Sequence, residues 1–177
     1  MDEPRAHVLV EGLTDRIALE TAAARLGRDL AAEGVQVVEL GGAHAIGGFL
    51  AVAAPRRGVR LAGLCDAREE PVFRRALARA GVDDSRFHVC VRDLEEELIR
   101  AVGADAVLRV LDEHGDLASF RTFERQPAWR GRPLDEQLRR FLCSSSRRNA
   151  RYARHLVEAL PPARIPAPLR AVLDSVR

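Results

Sequence analysis

The feature that most constrains this chain is the alternation of short, β-rich apolar runs with longer amphipathic stretches. Four runs are predicted to be strands: His7 to Val10, Val35 to Leu40, Arg60 to Leu64 and Phe87 to Val91. Strands that alternate with helices are typical of a parallel sheet, because each parallel connection needs a crossover. We therefore predict an α/β fold with a mostly parallel, Rossmann-like sheet of four strands and right-handed crossovers.

Helical spacing of apolar residues occurs both between these strands and after the last of them. The predicted helices are Asp15 to Leu26, Ala43 to Ala54, Val72 to Ala80, Leu94 to Val102, Ala104 to His114, Leu134 to Leu142, Arg147 to Leu160 and Leu169 to Val176. A chain of 177 residues is within the usual size of one compact domain. We predict a single domain, with an α/β core over residues 1–103 and a helical extension over residues 104–177.

Basic charge is concentrated in one part of the predicted extension. All 28 basic residues are arginine, and the formal net charge is +2. The segment from Arg121 to Arg154 contains ten arginines and only three acidic residues, so this basic segment carries a net charge of +7. The rest of the chain carries −5, with 18 arginines and 23 acidic residues. This division predicts an acidic site beside a basic surface that suits nucleic acid.

The sequence has no feature of a membrane-spanning or secreted protein. No apolar run approaches the roughly 18 residues of a membrane span, and the N-terminus lacks the pattern of a signal peptide. Cys65, Cys90 and Cys143 are too widely spaced to indicate a disulfide framework or a zinc site. We expect a cytoplasmic protein with free thiols and no membrane partner.

Acidic residues and glycines follow three of the predicted strands. Glu11 and Gly12 follow the first, Gly41 and Gly42 the second, and Asp66 the third. Any one carboxylate here can be an ordinary helix cap. However, the carboxyl ends of parallel strands meet at one edge of the sheet, where ligands bind. Oxygen ligands beside glycine turns predict a site for a hard divalent cation.

These residues resemble the Toprim domain that topoisomerases, primases and related nucleases share. The resemblance is carried by Val8-Leu9-Val10-Glu11-Gly12-Leu13-Thr14-Asp15, by Val37-Val38-Glu39-Leu40-Gly41-Gly42 and by Leu64-Cys65-Asp66. The order Glu-Gly-x-x-Asp resembles the OLD-family nuclease branch in particular. Two later segments, Asp93-Leu94-Glu95 and Arg147-Arg148-Asn149-Ala150-Arg151-Tyr152-Ala153, are similar to an acidic segment and a basic helix of that branch.

The resemblance implies a set of metal ligands. Glu11 corresponds to the invariant glutamate of the family, Asp15 to a neighbouring ligand, and Asp66 to the first acid of an Asp-x-Asp motif. The second acid is replaced by Arg68, which cannot ligate a cation. Glu69, Glu70 and Glu95 are the alternatives for the missing ligand. The implied cofactor is Mg²⁺ or Mn²⁺, as one or two ions.

The resemblance also implies a phosphate-binding role for the basic helix. The family's lysine is matched by Arg147 and Arg148, which can clamp a phosphate but do not readily exchange a proton at neutral pH. We predict that they stabilise developing negative charge, with Glu11 as an alternative general acid or base. The residues predicted to contact nucleic acid are Gly42, Arg139, Arg140, Arg147, Arg148 and Arg151.

The predicted function is metal-dependent hydrolysis of nucleic-acid phosphodiesters, with DNA favoured over RNA. Two alternatives remain: a non-catalytic or partner-dependent nucleic-acid-binding module, and a phosphohydrolase acting on small substrates. Topoisomerase activity is disfavoured, because it needs a tyrosine-bearing partner domain and Tyr152 is the only tyrosine. The sequence contains no Gly-rich loop ending in Lys-Ser or Lys-Thr, so coupling to ATP would require a separate ATPase partner.

Overall fold

The computed structural model describes residues 4–52 and 59–177, and its centre is a four-stranded sheet. The strands are β1 (Ala6–Val10), β2 (Val35–Glu39), β3 (Arg60–Cys65) and β4 (Phe87–Val89), and they lie in the order β2-β1-β3-β4. Val8 of β1 lies opposite Val37 on one side and Ala62 on the other. Every pairing among these strands is parallel, which confirms the predicted sheet.

Helices connect the strands and continue after the last one. They are α1 (Leu13–Arg25), α2 (Ile46–Val52), α3 (Glu70–Ala80), α4 (Leu94–Val102), α5 (Ala104–Glu113), α6 (Leu117–Glu124), α7 (Leu134–Leu142), α8 (Ser146–Glu158) and α9 (Ala167–Ser175). A 3-10 turn, Ala43–Ala45, precedes α2. The predicted helix over Ala43 to Ala54 therefore begins as a 3-10 turn, and its last two residues lie outside the described residues.

The sheet is covered on both faces because its strands alternate their apolar side chains. In β1, Val8 and Val10 belong to one buried cluster and Leu9 belongs to the other. Helices α2 and α3 pack on the face of Leu9, where Phe73 and Leu77 are almost fully buried. The opposite face is covered by α1 together with helices from the C-terminal half. Coverage of both faces is what a parallel sheet requires.

The helical extension shares its apolar core with the sheet. Phe141 of α7, Tyr152 of α8 and Leu169 of α9 are buried in the same cluster as Val8. Helix α1 packs along α8, and α9 lies against β3 and β4. In the part of the chain that the structure describes, no helix is long and apolar enough to cross a membrane.

Two local departures from the predicted elements have simple physical reasons. Strand β4 ends at Val89, before the predicted Val91, because Val91 is 70% exposed and its N–H donates to Glu97 Oε1 at 2.9 Å. Helix α6 was not predicted. It has eight residues, buries only Phe120 and has no side-chain cap, so its local signal is weak.

Candidate metal centre

The adjacent strands β1 and β3 bring Glu11 and Asp66 together at the carboxyl edge of the sheet. Glu11 directly follows Val10, the last residue of β1, and Asp66 directly follows Cys65, the last residue of β3. The backbone N–H of Asp66 donates to Glu11 Oε1 at 2.9 Å. This bond spans 55 residues of sequence and fixes one oxygen of Glu11 beside the Asp66 backbone.

Turn glycines hold the backbone around Glu11. Gly42 has a φ of +118° and Gly41 a φ of +75°, a left-handed region that favours glycine. The Gly42 N–H donates to the Glu11 carbonyl oxygen at 2.9 Å. Gly12 is the N-cap of α1, and its N–H donates to Asp15 Oδ2 at 3.0 Å. Asp15 therefore caps the start of α1, while its pKa shows that it also lies close to the charge of Glu11.

The N-terminus of α4 supplies a further carboxylate. Asp93 is the N-cap of this helix and accepts the Glu96 N–H at 2.9 Å, so its carboxylate is used within the fold. Glu95, in the first turn, is partly buried and accepts a hydrogen bond from Asn149 Nδ2 of α8 at 2.5 Å. The helical extension, through Asn149, therefore contacts the Glu95 carboxylate directly.

Four carboxyl groups in this region have raised pKa values, and burial is the largest cause for each. Burial, together with the charges of Glu11 and Asp15, raises the pKa of Asp66 to about 8. Burial raises the pKa of Asp15 to about 7, against the lowering effect of the Gly12 N–H and with a contribution from Glu11. The pKa values of Glu11 and Glu95 are also raised by burial. We call Glu11, Asp15, Asp66 and Glu95 the acidic cluster.

The chemistry of the acidic cluster fits a hard divalent cation. All of its donors are carboxylate oxygens, the ligands that Mg²⁺ and Mn²⁺ prefer, and their charges oppose one another's ionisation. The side chains are not already arranged as a coordination sphere: across residues 4–52 and 59–177, no three His, Cys, Asp or Glu residues converge closely enough to share one ion. Ion binding therefore requires side-chain adjustment.

The three alternatives for the missing ligand differ in their surroundings. Glu70 lies 2.8 Å from Arg74 Nε in an exposed ion pair, which occupies its carboxylate. Glu69 precedes α3, and its charge contributes to the raised pKa of Glu11. The charge of Glu95 acts on Glu11, Asp15 and Asp66. Arg68 is exposed. Of the three alternatives, Glu95 is therefore the one whose charge acts on all three of Glu11, Asp15 and Asp66.

The arginines predicted to contact nucleic acid fall into two groups. Arg139 is paired with the buried carboxylate of Asp93, through its Nε at 2.6 Å and its second guanidinium nitrogen. Arg151 pairs with Asp116, and Arg148 lies 4.3 Å above the Phe141 ring. These contacts make three of the five arginines partly structural.

The second group consists of Arg140 and Arg147. Both are exposed, and neither forms an ion pair with any residue that the structure describes. Arg140 lies on α7 and Arg147 on α8, so both belong to the helical extension. Their guanidinium groups are therefore the ones most available for phosphate.

Several contacts at this site had no individual signal in the sequence. The bonds from Asn149 to Glu95 and from Arg139 to Asp93 join residues 54 and 46 positions apart. Asp116 accepts the Tyr152 hydroxyl at 2.9 Å, across 36 positions. Only the cap was detectable locally, because Asp93 and Glu96 have the spacing of a capping box.

One comparison with known proteins covers the N-terminal part of the chain. Residues 5–67, which contain the strand ends of β1, β2 and β3, match the family described as "Overcoming lysogenization defect protein-like, TOPRIM domain". A search by sequence among curated proteins finds no match.

Solved structures resemble the chain over nearly its whole length. The C-terminal region of the Burkholderia pseudomallei OLD protein is 19% identical, with a TM-score of 0.72, and the match covers 98% of this chain and 97% of that one. The C-terminal region of the Xanthomonas campestris pv. campestris OLD protein is 22% identical, with a TM-score of 0.67 and coverage of 99% and 95%. At these identities the likeness shows the fold, including the helical extension.

Proposed function

This chain carries a Toprim domain close to that of the OLD family, and from this we propose that it is a metal-dependent nuclease. In this proposal the acidic cluster binds Mg²⁺ or Mn²⁺ and the reaction is hydrolysis of a nucleic-acid phosphodiester. DNA is favoured over RNA as the substrate. The exposed arginines of α7 and α8 bind the phosphate backbone.

The observation that carries the proposal is the placement of Asp66 next to Glu11 at the carboxyl edge of the sheet, where the Asp66 N–H donates to Glu11 Oε1. Burial raises the pKa of Asp66 to about 8, and the charges of Glu11 and Asp15 add to the effect. A carboxyl group in such surroundings keeps its proton near neutral pH, and a divalent cation would offset both the burial of the negative charge and the repulsion between the neighbouring carboxylates. Carboxyl groups with strongly shifted pKa values are concentrated at functional sites.

The residues have distinct roles in the proposed reaction. Glu11, Asp15, Asp66 and Glu95 would hold the cation, with Glu69 as a further candidate. Bound Mg²⁺ or Mn²⁺ supplies Lewis acidity towards the phosphate and lowers the pKa of coordinated water. Arg147, which has no ion pair among the described residues, would bind a phosphate oxygen, while Arg148 is oriented by its stacking on Phe141. Because arginine remains protonated, both would stabilise charge rather than transfer protons.

Cleavage assays test the proposal directly. Purified protein is incubated with supercoiled DNA, linear DNA and RNA, in the presence of Mg²⁺, Mn²⁺ or a chelator. We expect cleavage that requires the cation and is lost in the Glu11→Gln, Asp66→Asn double variant. Circular dichroism of this variant shows whether the fold is kept. Cleavage that survives chelation, or survives in the folded double variant, would contradict the proposal.

A second candidate is a non-catalytic or partner-dependent module that binds nucleic acid. It is favoured by Arg68, which replaces the second acid of the Asp-x-Asp motif, and by the absence of a preformed ion site among the described residues. Under this alternative the protein binds DNA without cleaving it. The same assays, repeated with an added ATPase partner, separate an inactive module from one that needs its partner.

A further inference from the structure

Glu95 differs from the other members of the acidic cluster because its position is set from outside the sheet. Glu11 and Asp66 follow strands of one sheet, whereas Glu95 lies in the first turn of α4. Its Oε1 accepts a hydrogen bond from Asn149 Nδ2 of α8, and these residues are 54 positions apart. The geometry of Glu95 therefore depends on the packing of α8.

Asn149 occupies a position of α8 where an apolar residue would be expected. Tyr152, Ala153 and Leu156 follow it at spacings of three, four and seven residues, and all three are buried in the core. These spacings define one face of a helix. Asn149 itself is half-buried, and a hydrogen-bond partner offsets the free energy that it costs to withdraw its carboxamide from water. Glu95 is the partner of this amide.

The neighbouring basic side chains of α8 are directed elsewhere. Arg151 pairs with Asp116, and Arg148 lies over the Phe141 ring and 3.9 Å from Asp116. The group that reaches Glu95 from α8 is thus neutral. A neutral N–H donor can hold one carboxylate oxygen without placing a positive charge where a cation would bind. Lysine or arginine at this position would compete with that cation.

We propose that Asn149 is a positioning residue, which orients the Glu95 carboxylate towards the cation of the acidic cluster. This inference rests on the proposed metal site. Partners that hold a ligand through a hydrogen bond typically change metal affinity by about 10- to 100-fold when they are removed. The direct contact is to Glu95, so the effect of Asn149 should pass entirely through that residue.

Calorimetric titration of the full chain with Mn²⁺ tests the inference. We expect Asn149→Ala to weaken Mn²⁺ binding by about 10- to 100-fold. Gln126→Ala is the matched control, since Gln126 is an exposed carboxamide with no side-chain hydrogen bond among the described residues, and it should leave the affinity unchanged. Circular dichroism in chelator verifies folding. If Asn149→Ala does not fold, Asn149→Leu removes the donor while filling a similar volume on the buried face.

A double-mutant cycle distinguishes positioning from a general structural role. In the Glu95→Gln background, Asn149→Ala should cause no further loss of Mn²⁺ affinity, because the carboxylate it positions is already absent. Equal fold-losses in both backgrounds would overturn the inference. So would unchanged affinity in folded Asn149→Ala or Asn149→Leu protein.

The outcomes also separate this inference from the proposed nuclease function. Wild-type protein that cleaves DNA and binds Mn²⁺, with an affinity insensitive to Asn149, supports the nuclease and overturns the positioning role. Protein whose Mn²⁺ affinity depends on both Glu95 and Asn149, but which cleaves no nucleic acid, supports the positioning role and overturns the proposed nuclease function. Wild-type protein that binds no Mn²⁺ overturns both.

Discussion

At the scale of single residues, the acidic cluster is a group of carboxyls that are costly to ionise together. Burial is the main cause of the raised pKa values, and the neighbouring carboxylates add to it. The Asp66 N–H bonded to Glu11 and the Asn149 amide bonded to Glu95 act in the opposite direction, because each favours the charged form. Two members of the cluster, Glu11 and Glu95, are thus held by hydrogen bonds, but the cluster as a whole is short of positive charge.

The raised pKa of Asp66 predicts how stability changes with pH in metal-free protein. The folded state raises this pKa from 3.8 to about 8, so the folded state binds the proton more tightly than the unfolded state does. The resulting stabilisation is complete below the unfolded value and is lost as pH rises through the folded value. We therefore expect the midpoint of thermal unfolding in chelator to fall between about pH 5 and about pH 8.

Two comparisons check that this fall comes from the cluster. Asp66→Asn removes the titrating group and should flatten the pH dependence. Saturating Mn²⁺ should restore stability most at about pH 8, where the carboxylates are ionised, because a ligand of the folded state stabilises it by mass action. A pH dependence that is identical in Asp66→Asn protein would contradict the assignment.

The surroundings of Glu95 and Glu70 predict different effects of the same substitution. Glu95→Gln should reduce Mn²⁺-dependent cleavage by about 10-fold or more, because it removes a charged donor from the cluster. Glu70→Gln should change cleavage by less than about two-fold, since an exposed ion pair such as that with Arg74 contributes little. Both rates are measured on supercoiled DNA with excess Mn²⁺. Equal losses in the two variants would argue against Glu95 as the replacement ligand.

The sequence could predict part of this site and not the rest, for reasons of distance along the chain. Glu11 and Asp15 lie in one motif, and Asp66 follows a recognisable strand, so parallel-sheet geometry was sufficient to predict that they meet. Asn149 and Glu95 are brought together only by the packing of α8 beside α4. No local pattern specifies such a contact. For the same reason, the pairing of Arg139 with Asp93 was not anticipated.

At the scale of secondary-structure elements, the tightest requirement is in β3. A Cβ atom added to Gly63 would lie 2.6 Å from the Phe87 ring and 3.0 Å from the Leu9 carbonyl oxygen, so β1 and β4 both approach closely there. Because Gly63 has no side chain, the Phe87 ring can pack directly against the backbone of β3 at this position. The strand pairing that places Asp66 next to Glu11 therefore depends on a glycine three residues before Asp66.

We expect Gly63→Ala to lower the free energy of unfolding by about 1–3 kcal/mol, the usual cost of overpacking a core. Gly48→Ala is the matched control: Gly48 is exposed within α2, and an added Cβ meets nothing within 4 Å. That substitution should stabilise the protein by about 0.5–1 kcal/mol, because alanine favours the helix. Urea unfolding in chelator measures both. Equal stability of the two variants would contradict the close approach at Phe87.

The elements themselves were largely predictable because their patterns are local. The four strands and most helices appear within a few residues of the expected bounds. The exceptions are elements whose ends depend on tertiary contacts. Strand β4 is shortened because Glu97 takes the Val91 N–H, and α6 is stabilised by packing of Phe120 against Phe141 at a ring distance of 5.4 Å. Neither contact is visible in the short segments concerned.

At the scale of the whole molecule, the charge division in the sequence corresponds to a division between elements. Acidic side chains follow the strands, whereas Arg140 and Arg147, which form no ion pair with a described residue, lie on helices that pack over one face of the sheet. Arg79, which also has no ion pair among the described residues, lies on α3 over the other face. This arrangement provides a comparison between two basic positions on opposite faces.

The Arg140→Ala, Arg147→Ala double variant should bind duplex DNA more weakly, with a smaller salt dependence. Each lost phosphate contact reduces the slope of log affinity against log salt by about 0.9, so two contacts reduce it by nearly two. Arg79→Ala should leave the slope unchanged. Fluorescence anisotropy over a salt series, in protein whose cleavage is blocked by chelator, measures the slopes. An unchanged slope in the double variant would place the nucleic-acid surface elsewhere.

The position of α9 has a consequence for how the chain folds. Leu169, Val172 and Leu173 complete the cluster that covers Ala62 and Leu64 of β3, yet α9 follows all four strands in chain order. During synthesis, the part of β3 and β4 that α9 covers therefore remains exposed until α9 has emerged and docked. Contacts between distant segments form slowly, and exposed strand surfaces aggregate readily. Docking of α9 is thus expected to be a late folding step, after which this apolar surface is no longer open to aggregation.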